Sequence, residues 1–154
     1  MLSPHSNLHD AVARLAGKKG VLLDALGSAT ADAVTVRRLR EALGLPADPS
    51  LGVPMMAIAH LFRADADVGC DVRPHETIDA SLRDPVNGGT EVKFSRPLRL
   101  GETISAERTL ADAFVREGKS GPLAIIVTQT RYRDAQQEEV ACVRSTMVYR
   151  GAAS

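Results

Sequence analysis

The residues of this chain best suited to proton transfer are its four histidines, His5, His9, His60 and His75. His75 follows Pro74 in a stretch of mixed polarity, with Asp71 four residues before it. Because an imidazole beside a carboxylate can exchange protons near neutral pH, Asp71 and His75 are the best internal candidates for catalysis; the alternative is a pair of solvated loop residues. His60 falls at the edge of an apolar helical stripe, where it is either a satisfied core histidine or a third catalytic candidate.

Other reactive groups are few and poorly spaced. The histidines and aspartates show no HxxxH or HxH pattern, so we predict no metal site. The sequence has no glycine-rich phosphate loop and no GxSxG elbow, and we expect no cofactor. Cys70 and Cys142 have no CxxC spacing, and Cys142 falls in a strand-like stretch where a buried, inert thiol is the usual role.

The composition is that of an ordinary globular protein. The chain has 154 residues, enough for one domain, with 44% hydrophobic and 25% charged residues. Its 19 basic residues balance 19 acidic ones and only 3% are aromatic, which argues against nucleic acid or an anionic membrane as a partner. The sequence has no bilayer-spanning apolar run, and MLSPHSNLHD has no signal-peptide pattern, so we expect a cytoplasmic protein.

Helical periodicity is typical of the first half of the chain. A first helix is predicted over NLHDAVARLAGKKG, with Asn7 as its cap and an end at Gly17 or Gly20. A second helix is predicted over VTVRRLREALGLP, with Thr35 as its cap and Gly44 as its stop.

The third predicted helix runs from Pro54 to about Asp67. Pro54 suits a first helical position, where its missing N–H would be unpaired in any case. Apolar residues follow at intervals of three or four, in a stripe wide enough to be covered on more than one side.

A period of two replaces the helical pattern from residue 89 onward. We predict long strands joined by the turns REGKSG and RDAQQE, which form an antiparallel meander; residues 69–88 form an irregular connection or a short strand. The helix from Pro54 is the one element with enough apolar surface to cover the meander. The prediction is therefore a single α+β domain over residues 1–154, an antiparallel sheet wrapped around a central helix, with residues 1–29 as a variable N-terminal extension.

A corner, SRPLRLGE, joins the first two strands of this meander. Arg96 and Arg99 flank Pro97, which ends strand pairing, and Gly101 permits the turn. Glu102 can pair with a neighbouring base. Two roles stay open for the arginines: holding the corner by an ion pair, or contacting the phosphate of a thioester substrate.

Two segments carry a family resemblance. VKFSRPLRLGETISAE resembles the strand–corner–strand signature of MaoC-like dehydratases, and GKSGPLAIIVTQTRYRDAQQEEVACVRSTMVYR is similar to the closing strands of their fatty-acid-synthase-type branch. The likeness covers roughly residues 30–150. It implies the hot-dog fold and (R)-specific hydration of 2-enoyl thioesters, or dehydration of 3-hydroxyacyl thioesters, carried by coenzyme A or acyl carrier protein.

The resemblance also implies where acid–base residues should lie. Active members have a Gly-Asp-x-Asn-Pro-x-His loop before the central helix, but here the loop reads GLPADPSLGVPMM, with Leu45 in place of the aspartate. Asp48 is either a displaced member of the pair or a turn residue. Asn87 stands where a His-Gly pair is common, and Asn cannot act as a general base. Candidate substrate contacts are Asn87, Gly88, Met55, Met56, Arg96 and Arg99.

Three functions follow from these observations. The first is a degenerate subunit of a hydratase or dehydratase that shapes the acyl channel beside a catalytic hot-dog partner. The second is a self-sufficient homodimer with a relocated pair, Asp71 with His75 or Asp48 with His60, or a thioesterase using Asp65 or Asp67. The third is a non-catalytic acyl-thioester binding protein of a fatty-acyl or polyketide pathway. Each involves a hetero- or homodimer, since an open sheet edge needs a cover.

Overall fold

A computed structural model of the protein describes residues 4–63 and 83–150. Its helices are α1 (Pro4–Ala16), α2 (Ala33–Ala42) and α3 (Ala57–Arg63), and its strands are β1 (Leu22–Thr30), β2 (Arg83–Phe94), β3 (Thr103–Gly118), β4 (Gly121–Arg133) and β5 (Glu139–Arg150). The strands form one antiparallel sheet in the order β1-β3-β4-β5-β2. Within the described ranges, every helix is too short or too polar to cross a bilayer.

The predicted meander is confirmed. Strands β3, β4 and β5 contain 16, 13 and 12 residues and pair with their neighbours along most of their length. Both predicted turns lie between them. Helices pack on one face of this sheet, which gives the α+β hot-dog architecture that the sequence indicates.

Strand β1 is a feature that the sequence did not reveal. It pairs with β3 at one edge of the sheet, and its register shifts twice, between Leu22 and Asp24 and between Ala25 and Gly27. Each shift inserts an extra residue and reverses the side to which the following side chains point. The alternation that identifies a strand is therefore broken. Residues 1–29, expected as an extension, contain α1 and most of this strand.

Strand β2 forms the other edge and begins at Arg83, earlier than the period of two predicts. Pro85 lies inside it, as an edge strand allows. A bulge between Asn87 and Gly89 interrupts its pairing with β5. At Gly88 an added Cβ would lie 3.0 Å from a Val148 methyl group, so a larger residue would require the Val148 side chain to shift.

One core cluster forms where α2, α3 and the corner cover one end of the sheet. Ala57, Ile58 and Leu61 of α3 pack there against Ile104, Tyr132 and other buried residues of β3, β4 and β5. The Phe62 ring meets the Tyr132 ring edge-on, with centroids 5.3 Å apart. The prediction that the Pro54 segment covers the apolar face is confirmed for this end of the sheet.

The sequence suggests that the helix from Pro54 alone covers the sheet. A second core cluster shows that this is wrong, because α1 covers part of the sheet as well. Leu8, Ala11, Val12 and Leu15 of α1 are buried against Leu110, Ala113, Ala124, Ile126 and Tyr149. The two helices therefore cover different ends of one sheet face. The four buried residues of α1 follow one another at intervals of one to three residues and line one side of the helix, which is enough to bury that side.

Three predicted helix boundaries were wrong. Helix α1 begins at Pro4 rather than at Asn7. The cap of α2 is Asp32, whose carboxylate accepts from the amides of Val34 and Thr35 and from the Thr35 hydroxyl. Residues 54–56 form a turn, closed by the bond from Ala57 N to the Pro54 carbonyl, so α3 begins at Ala57.

Two predicted helix ends agree with the structure where it describes them. Helix α1 ends at Ala16, one residue before Gly17. Helix α2 ends at Ala42, two residues before the predicted stop Gly44 (φ 70°), and the amides of Gly44 and Leu45 donate back to the Glu41 and Arg40 carbonyls. The predicted end of α3 at Asp67 lies outside the described residues.

An ion cluster fixes the corner between β2 and β3. The Arg96 guanidinium donates to both oxygens of Glu102, one of them at 3.0 Å, and to Asp134 Oδ2 at 3.0 Å. Asp134 also accepts from the amides of Gln136 and Glu138 in the β4–β5 turn. These carboxylates have side-chain exposures of 11% and 9%. Arg96 thus joins two loops that are distant in sequence.

We predict that Arg96→Met lowers the free energy of unfolding by about 2 kcal/mol, because it leaves two poorly solvated carboxylates without their cation. Glu139→Gln is the matched control, since the Arg131–Glu139 pair is about half exposed and separated by 3.6 Å. We expect the control to cost about 0.5 kcal/mol or less. Urea unfolding measures both, and equal losses would contradict a structural role for Arg96.

The cluster also predicts an acid dependence of stability. Hydrogen bonds from Arg96 lower the pKa of Glu102 below its ordinary 4.5, and those from Glu138 N and Arg96 lower the pKa of Asp134. A carboxylate with a depressed folded-state pKa contributes its full stabilisation above its ordinary pKa and loses it as pH falls through the folded value. The free energy of unfolding should therefore fall below about pH 4.5, and less steeply in Glu102→Gln. Parallel pH profiles of the two proteins would overturn this assignment.

Candidate functional site

A polar band crosses the helix-covered sheet face between the two core clusters. On β4, alternation places Thr128 and Thr130 between Ile126 of one cluster and Tyr132 of the other. Both threonines are buried. Ser145 is the cross-strand neighbour of Thr128 on β5, and Arg108 is the neighbour of Thr130 on β3. We call Arg108, Thr128, Thr130 and Ser145 the polar band.

The polar band offers hydrogen-bond donors and a positive charge. Three of its members carry hydroxyls, and Arg108 is half-buried. Burial raises the pKa of the neighbouring Tyr132 hydroxyl, and the Arg108 charge partly opposes that rise. Asp24 of β1 lies opposite Arg108 in register and contributes a carboxylate at the edge of the band. Such groups can bind a carbonyl or hydroxyl oxygen.

The loop before α3 is held by a buried arginine. Arg40, 8% exposed, donates from Nε to the Pro46 carbonyl at 2.6 Å and from Nη1 to the Gly52 carbonyl at 2.9 Å. A guanidinium that bonds two carbonyls across a loop fixes both of its ends. The loop that should carry acid–base residues is therefore ordered, with Leu45 exposed at the position of the missing aspartate.

Asp48 acts as a turn residue in this loop. Its carboxylate caps the 3-10 turn Pro49–Leu51, accepting from Ser50 N at 2.9 Å and from Ser50 Oγ at 2.7 Å. The Ser50 hydroxyl lowers the pKa of this exposed carboxyl below its ordinary value, with smaller contributions from the Ser50 amide and the Arg40 charge. The Asp48 carboxylate is thus ionised and hydrogen-bonded within its own turn. This favours a turn residue over a displaced member of a catalytic acid–base pair.

The start of α3 presents two candidate substrate contacts to solvent. Met55 and Met56 are 51% and 65% exposed, and Leu51 in the preceding loop is 61% exposed. Three large apolar side chains so close in sequence form an uncovered surface. His60 lies on α3, but its side chain is outside the described part of the structure.

The candidates on β2 shape its bulge. Asn87 Oδ1 accepts from Gly89 N at 2.9 Å, and Gly89 has a φ of 150°. The side-chain oxygen of Asn87 is therefore used locally, at the position where pairing with β5 is interrupted. Gly88 lies beside it in close contact with β5.

The two corner arginines differ in availability. Arg96 is surrounded by Glu102, Asp134 and the Pro97 carbonyl. This arrangement favours the ion-pair role over a phosphate contact, and the partner of Glu102 is Arg96 itself rather than a base on another strand. Arg99 is exposed, and its backbone amide donates to Glu102 at 2.8 Å.

Most of the other candidate residues lie in the part of the chain that the structure does not describe. Asp71, His75, Asp65, Asp67 and Cys70 lie outside the described residues, so their roles stay predictions. Cys142 is a free thiol on β5 that is half-buried rather than fully buried, and burial raises its pKa, which keeps the thiol protonated at neutral pH. Within residues 4–63 and 83–150, no three His, Cys, Asp or Glu side chains come close enough to hold a metal ion.

The sequence reasoning missed the polar band. Thr128 and Thr130 are β-branched residues typical of strands, and their even numbers place them on the same side as Ile126 and Tyr132. A polar residue at core-facing positions of three neighbouring strands is the signal that could have revealed the band. That signal becomes visible only once the register of β3, β4 and β5 is known.

Solved structures share this fold at low sequence identity. A chain of the ChsH1–ChsH2 complex from Mycobacterium tuberculosis aligns over 97% of this chain and 94% of its own length, with TM-score 0.71 and 19% identity. The HadBC (3R-hydroxyacyl-ACP dehydratase) complex from the same organism aligns over 79% and 89%, with TM-score 0.52 and 16% identity. The MaoC-like dehydratase from Rhodospirillum rubrum aligns over 85% and 93%, with TM-score 0.53 and 17% identity.

Sequence comparison identifies the family. No curated protein matches the chain significantly. The family model described as the dehydratase domain region of FAS1-like proteins matches residues 33–143, which includes α2, α3 and most of the sheet. Because this match covers most of the chain and the fold agrees with it, the protein belongs to the FAS1-like dehydratase domain family and has the hot-dog fold of the MaoC-like dehydratases and (R)-hydratases.

Proposed function

We propose that this chain is the non-catalytic subunit of an (R)-specific 2-enoyl-thioester hydratase or 3-hydroxyacyl-thioester dehydratase. It binds the acyl thioester, and a second hot-dog subunit supplies the acid–base pair. The observation that carries the proposal is the ordered loop before α3, where Leu45 replaces the expected aspartate. The loop's one carboxylate, Asp48, is bound to Ser50.

The polar band supports a substrate-binding role. Acyl-thioester chemistry needs donors that stabilise the charge developing on the thioester oxygen, and a general acid and base to move protons. Arg108 and the three hydroxyls can donate hydrogen bonds, whereas none of them is a base near neutral pH.

Two surfaces support a partner subunit. The first is the uncovered apolar surface of Leu51, Met55 and Met56 beside the loop. The second is the outer edge of β2, a strand of 12 residues at the end of the sheet. Free strand edges are suited to pairing with another strand. The likeness to chains from the ChsH1–ChsH2 and HadBC complexes also favours an assembly of two different hot-dog subunits.

Co-expression tests the proposal directly. The isolated chain should leave crotonyl-CoA unhydrated, and the chain purified with a hot-dog subunit that has the Gly-Asp-x-Asn-Pro-x-His loop should hydrate it. Loss of absorbance of the conjugated thioester measures the reaction. The control is the partner subunit alone, which should be less active than the complex.

Turnover by the isolated chain would contradict the non-catalytic role. His75→Ala and His60→Ala would then identify a relocated pair. If the chain forms no complex and shows no activity with any such partner, the remaining function is thioester binding without catalysis. Crotonyl-CoA would then raise the Tm of the chain but give no product.

The polar band yields a second prediction, which applies to the active complex. Arg108→Met should lower kcat/KM about tenfold, because it removes one charge-assisted hydrogen bond to substrate. Arg116→Met is the matched control, since Arg116 is an exposed arginine of the same strand and lies outside the band. Equal effects of the two substitutions, or none from Arg108→Met, would remove the band from the site.

A further inference from the structure

The sheet face opposite the helices contains a groove that the proposed function does not use. It has a volume of about 440 Å³, within the range of small-ligand sites. The α1–β1 turn closes it at one end, and its floor is formed by β3, β4 and β5. We call it the outer groove; its polar lining includes Lys19, Glu107, Gln129, Arg131, Arg133 and Arg144.

Strand register brings these charges together. Arg131 lies opposite Glu107 of β3, and the next row joins Thr109, Gln129 and Arg144. Arg133 follows Arg131 on the same strand, two residues on. Side chains two apart on one strand, or opposite each other on neighbouring strands, point to the same face. The groove is therefore a fixed product of sheet pairing.

The charge in the groove is strongly unbalanced. Four of its lining residues are cationic and one, Glu107, is anionic, although the chain as a whole has formal net charge +0. Lys19 and Arg131 have partners outside the lining, Asp112 and Glu139, each at 3.6 Å. An excess of positive charge in a concave site concentrates anions there.

Two arginines of the groove retain free guanidinium groups. Among the residues that the structure describes, Arg133 and Arg144 form no ion pair, and the cross-strand neighbour of Arg144, Glu91, pairs instead with Lys93 at 3.3 Å. With the Gln129 amide turned so that its oxygen faces Arg131, Oε1 accepts from Arg131 Nε at 2.9 Å, which holds that side chain along the floor. Arginine forks in a shallow cavity match the oxygens of a phosphate group.

We propose that the outer groove binds a small molecule that bears a phosphate or diphosphate group. A small anion fits better than an acidic protein surface, because Asp112 and Glu139, which pair with the lining residues Lys19 and Arg131, would repel an acidic partner beside the groove. Arg133 and Arg144 bind the phosphate oxygens, while Glu107 limits the affinity. This proposal does not depend on the thioester chemistry of the opposite face.

Calorimetric titration of the full chain with inorganic pyrophosphate at fixed ionic strength tests the proposal. Arg133→Gln combined with Arg144→Gln should weaken binding about tenfold or more, from the loss of charge-assisted bonds. Arg37→Gln is the matched control, because Arg37 is an exposed arginine of α2 paired with Glu41 and should leave affinity unchanged. Arg144→Gln alone replaces the double variant if that one fails to fold.

A gain of affinity provides the stricter test. Glu107→Gln removes the single carboxylate of the lining and should tighten pyrophosphate binding several-fold, which no loss of folding could produce. ADP should bind and adenosine should not; tighter binding of ADP than of pyrophosphate assigns a nucleotide, and equal binding assigns the diphosphate group alone. No pyrophosphate binding, equal loss in Arg37→Gln, or weaker binding in Glu107→Gln would overturn the proposal.

Discussion

The contact between Arg96 and two carboxylates is the constraint on which the rest of the sheet depends. Glu102 belongs to the same corner, whereas Asp134 lies in the turn between β4 and β5. One guanidinium therefore ties the end of β2 and the start of β3 to the turn between β4 and β5. Because β2 pairs with β5 and β3 pairs with β4, this contact links elements of four strands. Planar, bidentate geometry makes arginine suited to this role, and lysine would provide the charge without the fork.

The sheet has two faces with different chemistry. The covered face alternates between apolar clusters and the polar band. The open face carries charged side chains, and its groove is lined by four cationic residues and one anionic residue. The chain's formal net charge of +0 does not reveal this local excess. Arg40, like Arg96, is an arginine that ties separate parts of the chain together. It holds the loop before α3 by its bonds to the Pro46 and Gly52 carbonyls. The fold of the family is thus intact, and Asp48, the carboxylate of the loop before α3, caps a turn.

Much of the fold could be predicted because its strongest signals are local. Strands β3, β4 and β5 are long, and their turns contain the usual breakers, so the meander was visible in the sequence. Strand β1 was not, since its two bulges destroy the alternation, and the cap of α2 was misplaced because Thr35 bonds to the true cap, Asp32. Asp48 could be interpreted either way until its bonds to Ser50 were known. The polar band and the outer groove depend on register across several strands, which no local pattern contains.

The two edge strands of the sheet differ in how regularly they pair with their neighbours. On β1, irregular pairing leaves only the four residues Gly27–Thr30 in unbroken register, whereas β2 has six, Gly89–Phe94. An added strand needs a regular run of backbone amides and carbonyls, and β2 offers the longer one, although it too has two irregularities, between Arg83 and Val86 and between Asn87 and Gly89. The irregularity of β1 therefore makes its edge the poorer template for an added strand.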